Sequence, residues 1–441
     1  MSAPGLLVLA YYFPPMALSG VQRTLKFVKY WAEFGWRPVV LTVEPGGYFA
    51  FDETLLQELQ GRPVEIRRVR SWDPTRLFGR RRTVQLSERR RARLSYWSQW
   101  FFIPDNKLGW FFPAVREAEA LIRAGLIEAL YSTAPPYTAH LIALHLKRRY
   151  PELPWVADFR DDWLGNPRHV YPTPLHRALH ARLEAEVLAW SDLVFTINRR
   201  IKEGLVLRHP APRTKAYRHV QIVPQGFDPE DFLIPAEERA DGRFELLYTG
   251  AFYDRQSPEP FLRALARWLA DRPQRRPHVR VRCIGLWPPE YTPLVTHLGL
   301  QDVVQIEPYR PHRQVIAAQK GADVLWMIIG RYPGAEAIST GKLYEYFGSE
   351  KPILALVPPE GVAARDLYRY GAAEVVDPED LEGVVLALER LFTAWQEGRL
   401  PRPDPRVVAE FNRRLWAQRT ARWMLDLLRV EDHIEPIADH A

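Results

Sequence analysis

Short apolar runs alternate with longer amphipathic segments along most of this 441-residue chain. In the first half, the apolar runs predict buried strands, and apolar residues at helical spacing between them predict helices. The predicted strands are residues 6–12, 37–43, 126–133, 154–161 and the end of 183–198, and the predicted helices include residues 21–35 and 138–150. This alternation is typical of a parallel, doubly wound sheet.

The second half of the chain repeats the alternation. Its predicted strands are residues 244–250, 279–287, 322–329, 351–357 and 372–377, and its predicted helices are residues 258–270 and 380–395. Residues 405–429 predict one or two further helices. The segment near residues 224–244 is interpreted as a linker. A chain of this length exceeds one usual hydrophobic core, so two domains of roughly 200 residues are expected. The sequence therefore predicts an α/β protein with two similar domains.

Residues 76–116 interrupt this pattern by placing runs of arginine beside many aromatic residues. A charged surface helix followed by an ordinary aromatic core segment would explain this composition. A surface that contacts an anionic membrane would explain it too, because arginine reaches lipid headgroups while tryptophan and phenylalanine enter the interface. Nucleic acid is not expected as a partner, since the sequence contains no recognised nucleic-acid module.

Composition narrows the class of protein. Hydrophobic residues make up 47% of the chain and charged residues 26%, as in soluble globular proteins. No apolar run approaches the roughly 18–20 residues that cross a bilayer, and residues 5–13 predict a strand, because this run is too short for a signal peptide and lacks a basic leader. The single Cys283 excludes a disulfide scaffold and fits a reducing cytosol. The net charge of +7 favours an anionic partner.

The stretch from residue 334 to residue 355 carries the clearest chemical signal. It predicts a small-residue loop, a short helix and a buried strand. Ser339, Thr340 and Gly341 leave backbone N–H groups uncovered where the helix begins, and such a terminus can hold a phosphate. Glu345 follows about one turn later, where a carboxylate can accept hydrogen bonds from two ribose hydroxyls. This combination indicates a nucleotide diphosphate site, with a capped helix and a solvated glutamate as the alternative.

Candidate catalytic residues lie in the first half. Asp158, Arg160 and Asp161 end a predicted strand, where open α/β sheets bind ligands. A salt-bridged strand end with helix-capping aspartates is the alternative. His140 opens a predicted helix and could hydrogen-bond a sugar or polarise an acceptor, although a lone histidine is more often structural. The carboxylates also suggest a divalent metal, but no spacing of His, Asp or Glu defines a metal cage.

Four segments together resemble the bacterial glycosyltransferases of family 4. They are YYFPPMALSGVQR (residues 11–23), VPQGFDPEDF (223–232), LLYTGAFYDRQSPEPFLRAL (246–265) and STGKLYEYFGSEKPILA (339–355). The resemblance implies the GT-B fold, in which two Rossmann-like domains with doubly wound parallel sheets face each other across a cleft. It implies an acceptor domain over residues 1–224, a donor domain over residues 225–404, and helices over residues 405–441 that pack back on the first domain.

The resemblance also implies roles for individual residues. Gly20 would let the backbone approach the donor phosphate or the acceptor. Gly250 and Arg255 match the family's glycine and its nearby arginine, which pairs with the diphosphate. The family usually places a lysine a few residues later, but residues 256–261 read QSPEPF. Lys342 could supply the missing cation.

Glu345 would hold the ribose hydroxyls in the family's arrangement. The family often has another glutamate eight positions earlier, which contacts the donor sugar, but here that position is Ala337. Glu336 is displaced by one residue and could restore the contact. The identity of the donor sugar therefore does not transfer from the family.

The implied activity is transfer of a sugar from a nucleotide-diphosphate sugar to a hydroxyl acceptor. The resemblance implies retention at the anomeric carbon, no metal ion and no cofactor, in cell-surface glycan or polysaccharide biosynthesis. The expected acceptor is a glycan, a lipid-linked molecule or a small molecule. The expected location is the cytoplasm, either free or peripheral at the inner face of the membrane. A non-catalytic sugar-nucleotide or glycan-binding protein and a sugar-nucleotide epimerase remain as alternatives.

Overall fold

The computed structural model describes residues 3–17, 19–46, 51–76, 96–166, 169–209, 219–239, 242–252 and 256–429. These residues divide into two compact units. Residues up to 224 together with residues from 414 onward form the first unit, and residues 225–413 belong to the second. Each unit is built around its own parallel sheet.

The sheet of the first unit has seven strands in the order β3-β2-β1-β4-β5-β6-β7. The strands are β1 (Gly5–Leu9), β2 (Arg37–Val43), β3 (Glu65–Val69), β4 (Ala129–Ala134), β5 (Trp155–Phe159), β6 (Leu193–Thr196) and β7 (Val220–Ile222). All neighbouring pairs are parallel. The strand order reverses between β1 and β4, which is where sheets of this type bind ligands.

Helices within the described residues of the first unit follow or connect these strands. They are α1 (Ser19–Trp31), α2 (Phe111–Arg123), α3 (Thr138–Arg149), α4 (Pro174–Trp190) and α5 (Arg199–Arg208). Side-chain caps define two of their starts, because Thr173 accepts a hydrogen bond from the backbone of His176, and Asn198 accepts one from Ile201. Pro174 occupies the first turn of α4, where its missing N–H costs nothing.

The sheet of the second unit has six strands in the order β10-β9-β8-β11-β12-β13. The strands are β8 (Phe244–Ala251), β9 (Val279–Leu286), β10 (Val304–Glu307), β11 (Val324–Ile328), β12 (Ile353–Leu356) and β13 (Ala373–Val376). These pairs are also parallel. The order reverses between β8 and β11, so the carboxyl end of β8 lies at a switch point.

The helices of the second unit lie between these strands or follow the last of them. They are α6 (Glu259–Asp271), α7 (Thr292–His297), α8 (His312–Gly321), α9 (Gly341–Ser349), α10 (Val362–Tyr370), α11 (Leu381–Gln396) and α12 (Pro405–Glu410). Asp380 caps α11 and Asp404 caps α12 through their side chains. Gly371 ends α10 in the left-handed region, where glycine carries no steric penalty.

Both faces of the second sheet are buried. Leu246 and Tyr248 of β8 belong to one hydrophobic cluster, and Leu247 between them belongs to another. On β11, Trp326 belongs to the first of these clusters and Leu325 to the second. Strands of a parallel sheet that is covered by helices on both faces read as continuous apolar runs, which is why the sequence pattern predicted them.

The last helix, α13 (Arg413–Arg429), belongs to the first unit from residue 414 onward. The indole N–H of Trp31 donates to Thr420 Oγ1 over 2.9 Å, and that of Trp36 donates to the carbonyl oxygen of Ala421 over 3.1 Å. Because both indoles are buried, each needs such an acceptor. Helix α13 therefore completes the core of the first unit.

The prediction of two doubly wound parallel sheets is confirmed, with differences at element ends. Strand β2 matches its prediction, whereas β1 ends at Leu9 rather than at residue 12. The sequence analysis missed β3, β7 and β10, in which half-buried or exposed residues outnumber buried ones, so that an apolar signature is lacking. The segment near residues 224–244, interpreted as a linker, holds a 3-10 turn at Pro229–Leu233 within the second unit.

Candidate functional site

Two glycines shape the carboxyl ends of β8 and β9. Gly250 and Gly285 are paired in register, with φ angles of +107° and +136°. A side chain at residue 285 would collide with the carbonyl oxygen of Gly250. Only glycine fits these backbone angles and this approach. The edge of the sheet at the switch point is therefore bare backbone.

The side chain of Lys342, in the first turn of α9, lies directly over this edge. A Cβ atom at Gly250 would sit 3.3 Å from its Cε. The ammonium lies 3.5 Å from the centroid of the Tyr248 ring, a cation–π contact. Within the described residues, Lys342 makes no ion pair. Burial lowers its pKa to about 7, although the charge of Glu345 acts in the opposite direction.

The start of α9 offers further groups to an anion. Thr340 is the N-cap, but its side chain makes no capping hydrogen bond. Its hydroxyl oxygen is buried and has no hydrogen-bond partner among the described residues. The N–H groups of Gly341 and Lys342 have no partner one turn earlier in the helix, whereas that of Leu343 donates to the carbonyl oxygen of Thr340 over 3.1 Å. Together with Gly341 and Lys342, Thr340 can surround an oxyanion.

Ser339 plays a different part from Thr340. Its hydroxyl is hydrogen-bonded to the hydroxyl of Tyr344, which donates to Asp366 Oδ2 over 3.1 Å. Because the Tyr344 proton goes to the carboxylate, the Ser339 proton goes to Tyr344. The Ser339 side chain therefore holds the loop to α9 and α10.

Glu345 lies one turn beyond the start of α9. Its Oε1 is 3.2 Å from His312 Nε2, at the first residue of α8. His312 Nδ1 lies 3.9 Å from Asp231 Oδ2. The orientation of the Glu345 carboxylate is therefore set in part by a neighbouring helix.

A buried network holds α9 against β8. Gln319 donates to Thr249 Oγ1 over 2.9 Å and accepts from Ser349 Oγ over 2.9 Å. The Tyr346 hydroxyl accepts from the backbone N–H of Thr249 over 3.1 Å and donates to the carbonyl of Trp326 over 3.2 Å. These bonds fix the helix that carries Lys342 and Glu345 relative to the glycine edge.

For two residues that were predicted to bind the donor substrate, the structure gives less information. Glu336 lies in the 3-10 turn Ala335–Ala337, and its Cα would be 3.3 Å from a Cβ at Gly361. Its contact with a donor sugar remains a prediction. Arg255 lies outside the described residues, as do residues 253–254. Its role as the partner of the diphosphate also remains a prediction.

In the first unit, Asp158 forms a buried ion pair with Arg23. Its two oxygens accept from Arg23 over 2.9 and 3.1 Å, and Oδ2 also accepts from Tyr131 over 2.8 Å and from Thr133 over 3.0 Å. Burial alone would raise the pKa of Asp158, but the Arg23 guanidinium and these donors hold it below its usual range. The carboxylate is thus ionised and surrounded by donors from α1 and β4.

Arg160 joins two backbone segments. Its guanidinium donates to the carbonyl oxygen of Ala134 over 3.2 Å and also to those of Pro135 and Gly20. Gly20 is thereby held beside the carboxyl end of β4. Asp161 is half-buried, and its side chain forms no hydrogen bond with any residue that the structure describes. Unlike Asp158 and Arg160, which are engaged in hydrogen bonds, Asp161 has a side chain that could accept a hydrogen bond from a ligand.

His140 is fully buried on α3. Its Nδ1 lies 2.8 Å from Ser132 Oγ, which accepts from the indole N–H of Trp155 over 2.8 Å. Its Nε2 has no hydrogen-bond partner within the described part of the chain. Burial lowers the pKa of His140 to about 3, so the ring is neutral near pH 7. Its predicted contact with a sugar remains a prediction.

The structure adds residues that the sequence analysis did not single out. Arg23 reads as one more cation of a basic helix, yet it is almost completely buried. Tyr248 and Gly285 lie in strand ends, and their positions beside Lys342 and Gly250 depend on pairing between strands. His312 could have been noticed, because it follows β10 at the carboxyl end of the same sheet.

Comparison with known proteins identifies the fold of the whole chain and a related sequence for part of it. No family model matches the chain. Over 128 residues it is 29% identical to a D-inositol 3-phosphate glycosyltransferase of Thermobispora bispora, covering 27% of this chain and 26% of that protein. The matched segment thus spans about a quarter of the relative's length.

Solved structures match almost the whole chain. Sucrose-phosphate synthase from Thermosynechococcus elongatus has a TM-score of 0.61 at 15% identity, covering 97% of this chain and 99% of that one. The chain has the GT-B fold. Anabaena HepE in complex with UDP-glucose has a TM-score of 0.54 at 14% identity, covering 96% of this chain and 97% of that one. S. aureus MnaA with UDP has a TM-score of 0.54 at 12% identity, covering 99% of this chain and 100% of that one.

Sequence identities this low support a shared fold, but they do not transfer the activity of any one of these proteins to this chain. The predicted resemblance to glycosyltransferases with the GT-B fold is confirmed. Membership of family 4 stays a prediction. Within the described residues, no helix is both long and apolar enough to cross a membrane.

Proposed function

We propose that this protein is a glycosyltransferase that takes its sugar from a nucleoside-diphosphate sugar. The observation that carries the proposal is Lys342, a half-buried cation without an ion pair in the described structure, beside Gly250 and at the start of α9. A partly desolvated charge without a partner is costly, and a diphosphate would supply the missing anion. The relative named as a glycosyltransferase and the solved neighbours with UDP or UDP-glucose support this choice.

The proposed donor site divides the ligand between three groups. The diphosphate lies at the start of α9, against Lys342 and the Thr340 hydroxyl. The ribose hydroxyls donate to the Glu345 carboxylate. Arg255, which follows β8 in the sequence, would add a second cation. A diphosphate leaving group gains negative charge in the transition state, and donors fixed around it lower the barrier.

The proposed reaction is a transfer with retention and without a metal ion. The bond between the anomeric carbon and the diphosphate oxygen breaks, and a bond from the acceptor oxygen to the same carbon forms on the same face. The acceptor proton passes to an oxygen of the departing diphosphate. Lys342 and the amides of α9 take up the charge of that diphosphate.

The proposed acceptor is a lipid-linked molecule or a polymer of cell-surface glycan synthesis. Trp97, Phe101 and Phe112 are 57%, 76% and 75% exposed. In the sequence they follow the arginine-rich stretch 76–95, of which residues 77–95 lie outside the described residues. Exposed aromatic side chains next to a basic segment fit the surface of an anionic bilayer.

Co-sedimentation with vesicles tests the membrane part of the proposal. We expect the protein to pellet with phosphatidylglycerol vesicles at low salt and to stay in solution with phosphatidylcholine vesicles. Trp97→Ser with Phe101→Ser should weaken this binding, whereas Tyr368→Ser, at a 58% exposed aromatic residue of the second unit, should not. Absence of binding to the anionic vesicles at low salt would remove membrane association from the proposal.

Calorimetric titration with UDP, GDP, ADP, TDP and their sugar conjugates tests the donor site. A ligand at 100 times its Kd should also stabilise the fold by about 2.7 kcal/mol in a thermal-shift assay. Lys342→Met and Glu345→Gln should each weaken binding at least tenfold. Glu350→Gln, at an exposed residue just after α9, is the matched control and should bind normally. If no nucleotide binds, the proposed function is wrong.

A further inference from the structure

We propose that His312 is a positioning residue, which holds the Glu345 carboxylate toward the ribose and away from Lys342. The proposal deepens the function proposed above and rests on it. It assigns to His312 no contact with the donor itself. Its basis is the geometry of the side chains that surround His312 and Glu345.

The bond between the two side chains fixes a proton. His312 Nε2 lies 3.2 Å from Glu345 Oε1. An ionised carboxylate only accepts hydrogen bonds, so the proton must be on Nε2. With that proton in place, His312 donates to one oxygen of Glu345 and restricts the rotation of the carboxylate.

His312 is itself held from its other side. Its Nδ1 lies 3.9 Å from Asp231 Oδ2, and the side chains of both residues are only 12% exposed. Asp231 belongs to the 3-10 turn Pro229–Leu233, which begins where Asp228 accepts a hydrogen bond from the backbone of Glu230 over 3.0 Å. The imidazole therefore lies between two carboxylates.

Helix α8 is tied to that same turn at its far end as well. Lys320 donates to the carbonyl oxygen of Phe232 over 2.6 Å and to that of Ile234. With His312 beside Asp231, both ends of α8 contact one short segment of chain. A helix fixed at two points cannot rotate His312 away from Glu345 without breaking one of these contacts.

The spacing of Glu345 and Lys342 explains why such a residue is needed. Residues three apart on a helix lie on one face, and opposite charges at this spacing attract. Nevertheless, no ion pair joins Lys342 to Glu345 or to another residue in the described ranges. The hydrogen bond from His312 offers the carboxylate a competing partner. His312 thus leaves the Lys342 ammonium available to a diphosphate.

The test compares UDP with 2′,3′-dideoxy-UDP by calorimetry, or the matching pair for whichever nucleoside diphosphate binds most tightly. The wild-type protein should prefer the ribose form, because only that form can donate to Glu345. In His312→Asn the amide reaches toward Asp231 but not Glu345, so the preference should fall roughly tenfold. In His312→Gln the longer amide can still donate to Glu345, and most of the preference should remain.

The ratio between the two ligands separates positioning from a purely structural role. Equal weakening of both ligands in His312→Asn, or an unchanged preference, would overturn the proposal. His297→Ala, at an exposed histidine of α7, should leave both affinities at the wild-type level. A wild-type protein that binds no nucleoside diphosphate would overturn the proposed function, and this inference with it. If His312→Asn does not fold, His312→Phe gives the same comparison.

Discussion

The ammonium of Lys342 lies 3.5 Å from the centre of the Tyr248 ring, and no carboxylate in the described part of the chain pairs with it. An aromatic face stabilises a cation less than an ion pair does once both are removed from water. This is why burial can bring the pKa of Lys342 down to about 7. The protein thus carries a cation that is only half charged near neutral pH until an anion arrives.

Binding of a nucleoside diphosphate should therefore depend on pH. An anion beside Lys342 raises its pKa in the complex, so binding above about pH 7 requires uptake of a proton. Below pH 7 the lysine is already charged and no uptake is needed. Affinity should fall between pH 7 and pH 9, by up to tenfold per pH unit, as measured by calorimetry in buffers of different ionisation enthalpy.

Substitutions at residue 342 isolate this effect from the titration of the ligand. Lys342→Met should bind weakly, with affinity that no longer falls above pH 7. Lys342→Arg keeps its charge at all these pH values and should flatten the profile. A profile in Lys342→Met as steep as that of the wild type would show that another group takes up the proton.

Gly250→Ala should damage both the fold and the donor site. The φ angle of +107° is unfavourable for alanine, and the new methyl group would press on Lys342 Cε at 3.3 Å. We expect a loss of about 1–3 kcal/mol in the free energy of unfolding and weaker binding of nucleotide, measured by denaturation and calorimetry. Gly398→Ala, at φ +64° with open space around it, carries backbone strain alone and should leave binding unchanged.

Removing Arg23 should destabilise the first unit strongly. Arg23→Met leaves the Asp158 carboxylate buried without its partner, which costs about 3–5 kcal/mol in comparable cases. Arg199→Ala, in an exposed pair with Glu203 at 2.7 Å, should change stability by less than about 1 kcal/mol. Urea denaturation measures both. Similar losses in the two variants would mean that burial of the Arg23–Asp158 pair carries no special cost.

His140 should make the protein sensitive to acid. In the unfolded chain it binds a proton below about pH 6.5, whereas in the fold its pKa is about 3. The unfolded state thus holds more protons between these values, and the free energy of unfolding falls as pH drops through this window. Relative to His140→Gln, the wild type should lose ~2 kcal/mol between pH 7 and pH 5.

An exposed histidine provides the control for that experiment. His145, on the same helix, has its side chain 47% exposed. His145→Gln should follow the wild type across the same pH range in urea denaturation. If His140→Gln keeps the wild-type dependence on pH, the buried ring does not account for acid sensitivity.

Local sequence predicted those parts of the fold and site that depend on local order. Gly250, Lys342 and Glu345 stand at a strand end and in the first turns of a helix, and such positions can be read from apolar periodicity and small residues. The same signals predicted most strands, because both faces of the sheets are buried. They missed β3, β7 and β10, since these strands mix polar with apolar residues and give no continuous apolar run.

The remaining features depend on pairs that are distant in sequence. Arg23 and Asp158 are 135 positions apart, and nothing near either residue indicates that they meet. His312 and Glu345 come from different helices, α8 and α9, which contact each other and share one hydrophobic cluster. Long-range packing, and not spacing along the chain, decides which charged side chains are buried. It also decides which carboxylate already has a hydrogen-bond partner.

The placement of α13 has a consequence for protein synthesis. Trp31 and Trp36 leave the ribosome early, but Thr420 and Ala421, which accept from their indoles, are among the last described residues to emerge. Residues 225–413 of the second unit are all made before that helix is complete. The later unit can therefore mature first, while the earlier one waits for the synthesis of residues 414–429 with two indole donors unsatisfied.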